Sequence, residues 1–128
     1  MKKLIFIAFI FISQITNAQT SGCLPLQKGK FKMNSDDYGP TYITRTKTSQ
    51  IEEMPKLGIK AKFDITWVSE CKYELRNKVL LEGEPFANEP ENIVVIVEIT
   101  KVNLKSYNIK ISSNHSDITM DAVVEILK

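Results

Sequence analysis

The chain has 128 residues, with 17 Lys and Arg against 15 Asp and Glu and 43% hydrophobic residues. That length suits a single domain with a modest core. A charge balance so close to even lacks the basic excess that draws nucleic acid or an anionic membrane surface, so that class of partner is excluded.

Residues 1–18 read as a cleavable signal peptide. Met1-Lys2-Lys3 is a short positive start, Leu4 to Ile12 is an unbroken apolar run, and Ser13 to Ala18 is more polar. Thr16 and Ala18 put small side chains three and one positions before a cut ahead of Gln19. The apolar run is nine residues long, whereas a helix crossing the hydrocarbon needs ~20. No later segment is longer, so no transmembrane segment is expected in the mature chain. Lys2 and Lys3 leave with the signal, which brings 17 basic residues down to 15 and equal to the 15 acidic ones. Residues 19–128 are then one small, neutral, exported domain in the periplasm, cell envelope or extracellular space. Cys23 raises lipid anchoring as a secondary reading. Thr20-Ser21-Gly22 stand before it, however, where lipid attachment wants a Leu-like residue directly after the apolar core.

Beyond the signal, period-two patterning dominates. Lys30–Met33 reads as a short strand after Gly29, and Tyr38-Gly39-Pro40 as a turn. Thr41–Thr46, rich in β-branched residues, and Ser49–Met54 follow as strands on either side of a turn at Lys47-Thr48. From Ile59 to Leu75 the odd positions are Ile, Ala, Phe, Ile, Trp, Ser, Cys, Tyr and Leu, and the even positions are nearly all polar. So long a stretch needs a turn. One around Val68-Ser69-Glu70 would set Trp67 opposite Cys71 with both inward.

Leu81–Asn92 carries two prolines, a glycine and four glutamates and reads as a surface loop. Ile93–Lys101 is a buried strand and Ser106–Ser112 alternates. Ile118–Ile126 also alternates, with a short helix as the competing reading. About eight short strands at hairpin spacing predict an all-β antiparallel meander forming a small closed or partly open barrel, with a sandwich as second choice.

The chemistry is sparse. Cys23 and Cys71 are the only cysteines. In an oxidising compartment they are expected to pair, closing a loop worth roughly 4 kcal/mol. His115 is the only histidine and sits in a polar turn, so neither a metal site nor a nucleophile–base arrangement is expected. Glu82, Glu84, Glu89 and Glu91 lack the Asp and Gly rhythm of a calcium loop and read as a solvated acidic loop. No cofactor motif is present, and the chain leans away from being an enzyme.

Phe86, an aromatic within that acidic loop, reads as a lid over a barrel mouth or a partner contact. Trp67, Phe63, Tyr73 and Tyr107 read as a filled aromatic core or the wall of a small apolar cavity. Phe86, Trp67 and Tyr73 are thus the candidate contacts for a small apolar ligand or an envelope protein. The expected role is a non-enzymatic binding module, with a structural component of an envelope complex as the alternative.

Gly29-Lys30-Phe31-Lys32 after an early Cys23, Ile43-Thr44-Arg45-Thr46, Gly58-Ile59-Lys60 and Trp67-Val68-Ser69-Glu70-Cys71-Lys72-Tyr73 together resemble a family of small exported proteins of flavobacteria and relatives. The resemblance covers the mature chain up to about Leu75 and is most specific in Trp-x-Ser-x-Cys-x-Tyr. It implies export and reinforces a Cys23–Cys71 pairing. It carries no established activity. Some members bear a topoisomerase label, which a neutral exported chain without a nucleotide site does not fit.

Overall fold

Alternating sequence becomes alternating burial most clearly over residues 41–45, 59–66, 72–75, 97–100 and 106–110. In the computed structural model, which describes residues 22–128, a short 3-10 helix (Leu24–Gln27) precedes eight strands. These are β1 (Gly29–Ser35), β2 (Gly39–Arg45), β3 (Ser49–Met54), β4 (Ile59–Ser69), β5 (Lys72–Glu82), β6 (Val95–Val102), β7 (Ser106–Ser113) and β8 (Ser116–Leu127). The expected signal, 1–18, lies outside the described residues.

Each strand pairs antiparallel with its sequence neighbour, and β8 returns to β1 to close the barrel. The expected all-β meander is therefore present in its closed form. Ile118–Ile126 lies within β8 and is strand, not helix. Closure gives every strand a neighbour on both sides over at least part of its length.

Phe31, Ile43, Ala61, Phe63, Ile65, Tyr73, Leu75, Val97, Ile99, Tyr107, Ile109 and Val124 fill the interior. Phe31 and Tyr107 meet edge to face, with ring centroids 5.6 Å apart, and Trp67 leans on Tyr73 at 4.7 Å. Burying each large apolar side chain contributes about 1.5–3 kcal/mol. The outward positions carry Lys62, Asp64, Arg76, Glu98, Lys110 and Glu125, all exposed. A charged outer wall is the inverse of the apolar band that a barrel needs against lipid.

Several boundaries differ from the sequence expectation. The β4–β5 hairpin is tighter, so Trp67 faces Tyr73 across the pair and not Cys71. Cys71 sits in the turn itself, not mid-strand. Gly39 and Pro40 belong to β2, opposite Ser35 and Asn34. β5 runs on to Glu82, so the surface loop begins at Gly83.

A bulge explains why β5 escaped the alternation. Asp64 pairs with Arg76 and Lys62 with Val79, leaving Asn77 and Lys78 together opposite Phe63. Asn77 takes up the extra residue at φ 53, a left-handed conformation that Asn tolerates. Its side chain donates to Asp64 Oδ2 at 2.8 Å. The bulge switches parity: Tyr73 and Leu75 point inward before it, Lys78 and Leu80 after it. Val79 and Leu81 are turned outward and exposed.

Two strands outrun their neighbours. β6 reaches β5 only from Lys72 to Leu75, and β1 reaches β8 only from Val124 to Leu127. Among the described residues, Arg76–Glu82 therefore has no strand on its β6 side, and Ser116–Val123 none on its β1 side. Ile118 (73% exposed) and Met120 (59%) lie on that projecting part of β8. Met120 pairs with Ile111 and is bare even so.

Candidate functional site

The meander puts alternate connections at opposite ends, and the two ends are built differently. One end holds the 3-10 helix and the β2–β3, β4–β5 and β6–β7 turns. There the Cys23–Cys71 disulfide, S–S 2.05 Å, ties the start of the described chain to the β4–β5 turn. Cys71 O also accepts from Ile99 N at 2.7 Å, fastening the turn to β6. Leu26 plugs the interior beside it.

Arg45, 2% exposed, is the polar centre of this plug. A buried charge must find its hydrogen bonds inside. Nη1 donates to Leu26 O at 2.8 Å, Nη2 to Tyr73 OH at 2.9 Å, and Nε to Gln50 Oε1 at 2.8 Å. Its guanidinium also covers the Phe31 ring at 4.5 Å and the Tyr73 ring at 4.9 Å, within cation–π range. Gln50 passes the interaction on, Nε2 donating to Glu52 Oε2 at 2.8 Å.

Burial raises the Glu52 carboxyl above its ordinary 4.5, against the pull of the Gln50 hydrogen bond and the charges of Arg45 and Lys78. The residue as a whole is only partly covered, so its carboxyl end is the shielded part. Burial likewise pushes up the Tyr73 and Tyr107 hydroxyls, with Arg45 opposing. The Tyr107 hydroxyl and the Trp67 indole N–H are enclosed outside good hydrogen-bond geometry.

The opposite end is covered by the β5–β6 connection, 83–94. Gly83 starts it at φ +91, where an added Cβ would stand 2.5 Å from Gly58 O. Only glycine fits that approach. The returning side is clamped to the β7–β8 turn. Asn114 Oδ1 accepts from Val94 N at 2.8 Å, and Asn114 Nδ2 donates to Asn92 O at 3.2 Å. His115 Nε2 lies 3.1 Å from Glu91 O. The one histidine is thus an exposed loop fastener.

Between this connection and the unpaired half of β5 lies a cleft of about 610 Å³, lined among others by Lys78, Leu80, Phe86, Glu89 and Ile93. Lys78 forms an ion pair with Glu89, their side chains 20% and 25% exposed. The Lys78 ammonium also stands 5.7 Å from the Phe86 ring centroid. Phe86 reaches across to Tyr38 in the β1–β2 turn, with centroids 6.2 Å apart.

The sequence-chosen contacts are thereby separated. Trp67 and Tyr73 stand at the plugged end, near the disulfide. Phe86 stands alone of the three at the cleft. Cys23 and Cys71 are joined as expected. Glu82, Glu84 and Glu91 are exposed, and Glu89 is the glutamate of that loop found in an ion pair with Lys78. Lys78 escaped sequence reading because strict alternation from Tyr73 would turn it outward. The signal that would have found it is the parity break at Arg76-Asn77, two adjacent polar residues with an Asn able to take positive φ.

Among the described residues no group of three His, Cys, Asp or Glu is placed to hold a metal ion. No helix among them is long and apolar enough to cross a membrane. No family model, curated protein or solved structure matches the chain.

Proposed function

We propose that this chain is an exported, non-enzymatic binding module that takes a small ligand at the cleft between the 83–94 connection and β5. The observation carrying this reading is the asymmetry of the barrel. One end is stapled by a disulfide and plugged by Leu26 and Arg45. The other holds a cleft of about 610 Å³ with mixed apolar and polar walls, a size and lining common to small-molecule sites. An eight-stranded barrel has little room to spare inside, and the core aromatics take up the plugged end. A ligand would enter at the side, where β5 lacks a neighbouring strand. Export rests on the residue 1–18 signal and on a disulfide, which persists in oxidising compartments.

Native mass spectrometry of protein drawn from its host's envelope fraction tests this. An adduct that organic extraction removes is expected. A bare mass in the host fraction, together with no shift of the 78–93 amide resonances against the extracted metabolites, would rule it out.

The bare stretch of β8 favours a second reading, a component of an envelope assembly. A photocrosslinker at Thr119 should then capture one consistent envelope protein in the host. Capture of abundant bystanders alone argues against it.

A further inference from the structure

The ion pair inside the cleft points to the kind of ligand. Lys78 and Glu89 are attached to unlike supports. Lys78 belongs to β5, held inward by the Asn77 bulge and hydrogen-bonded sheet on its β4 side. Its side chain is 20% exposed and rooted in the barrel wall. Glu89 sits midway along the 83–94 connection, between the Gly83 start and the Asn114 clamp. Moving the middle of that connection outward, between its two fixed ends, would return the Glu89 carboxylate to water and leave Lys78 in the wall.

A partly buried ammonium needs an anionic partner. Of the two members, then, only the carboxylate is exchangeable. The walls beside the pair are mixed: Leu80, Ile93 and the Phe86 ring form an apolar strip past the ammonium, and Asn77, Asn88, Asn92 and Glu91 line the rest.

We propose that the cleft binds an amphiphile with a single anionic head and an apolar body, and that Glu89 is the chain's own substitute for that head. The head displaces Glu89 from Lys78, and the body lies along Leu80, Ile93 and Phe86. Glu89 is then a built-in competitor that keeps Lys78 paired in the empty protein. Phe86, held by Tyr38 on its far side, moves with the connection when the head enters. The assignment rests on the cleft being the ligand site, and its test separates the two.

The probes are decanoate, decan-1-ol and decyltrimethylammonium, titrated into the disulfide-bonded protein with affinities from calorimetry and location from amide resonances. Decanoate should bind and shift residues 77–80 and 85–93. Lys78→Met should weaken it roughly tenfold, the scale of one charge-assisted hydrogen bond. Glu89→Gln should tighten it, because the competitor is gone, while decan-1-ol should be indifferent to both substitutions.

If decanoate and decan-1-ol bind alike and both variants are silent, the anionic-head assignment is overturned and the cleft survives as an apolar site. Preference for decyltrimethylammonium overturns the sign of the charge. Failure of all three probes, with Glu89→Gln included, overturns the cleft itself. Should Lys78→Met fail to fold, Glu89→Gln decides alone, since its residue lies on the connection outside the barrel wall. Weaker binding of decanoate to that variant sinks the proposal.

Discussion

The two ends of the barrel solve opposite problems with the same kind of residue, a cation held over an aromatic ring. At the plugged end Arg45 covers Phe31 and Tyr73, and neutral acceptors, a carbonyl, a hydroxyl and an amide, take its donors. Every bond runs between elements that the disulfide or the sheet already holds. At the cleft end Lys78 stands by Phe86, and its acceptor is a carboxylate on a connecting segment. A guanidinium suits the first role because its planar fork reaches several fixed acceptors at once. An ammonium suits the second because it accepts a new partner from many directions. The difference teaches where stability and exchange reside: what is multiply bonded stays, and what hangs on one ion pair can be replaced.

The comparison breaks most readily at the disulfide. Changing both Cys23 and Cys71 to Ser should lower unfolding free energy by about 4 kcal/mol, read by urea denaturation without reductant. A loss near zero would mean that the 3-10 helix is held without the bridge. Next comes Arg45→Met, which strands Gln50 Oε1, Leu26 O and the Tyr73 hydroxyl. About 3 kcal/mol should be lost, while the cleft residues keep their resonance positions if the two ends are independent.

At the other end, Gly83→Ala forces a methyl toward Gly58 O in a positive-φ position. The cost should be about 2 kcal/mol, with resonance changes concentrated in 83–94 and the β3–β4 turn. Asn114→Ala removes the two side-chain bonds that clamp Val94 and Asn92. It should cost about 1 kcal/mol and speed amide exchange at Val94 without altering exchange in the Arg45 region. Equal acceleration at both ends would dissolve the distinction between them.

The smallest effect lies where the ends communicate, at Glu52. Its folded-state pKa stands above 4.5 because burial outweighs the favourable neighbours. In the window between 4.5 and that raised value the folded protein binds a proton that the unfolded chain has released. Stability therefore falls as pH rises through the window and stays lower above it. Glu52→Gln should flatten this dependence, so wild type loses ground to the variant as pH rises. Parallel pH profiles for the two proteins would place the carboxyl in solvent.

Strand placement was largely legible because half-buried strands must alternate, and β4 declares this from Ile59 to Trp67. Pairing of Cys23 with Cys71 was legible because the chain offers no other thiol and reads as exported. The local geometry of turns was less so. Whether Trp67 faces Cys71 or Tyr73 is a two-residue difference in the register of the β4–β5 hairpin, and alternation alone is satisfied by both.

Residue order alone thus determined the class of the fold, an all-β meander with polar residues outward and aromatics inward, since period two follows from strand geometry. Only the tertiary structure decided that the sheet closes, that Leu26 and Arg45 plug one end, and that Lys78 faces Glu89 at the other. Closure is set by register around the whole circuit, to which every strand contributes. The turn of Lys78 inward depends on one bulge, a local exception that reverses parity from Lys78 to Leu80, where the next register shift begins.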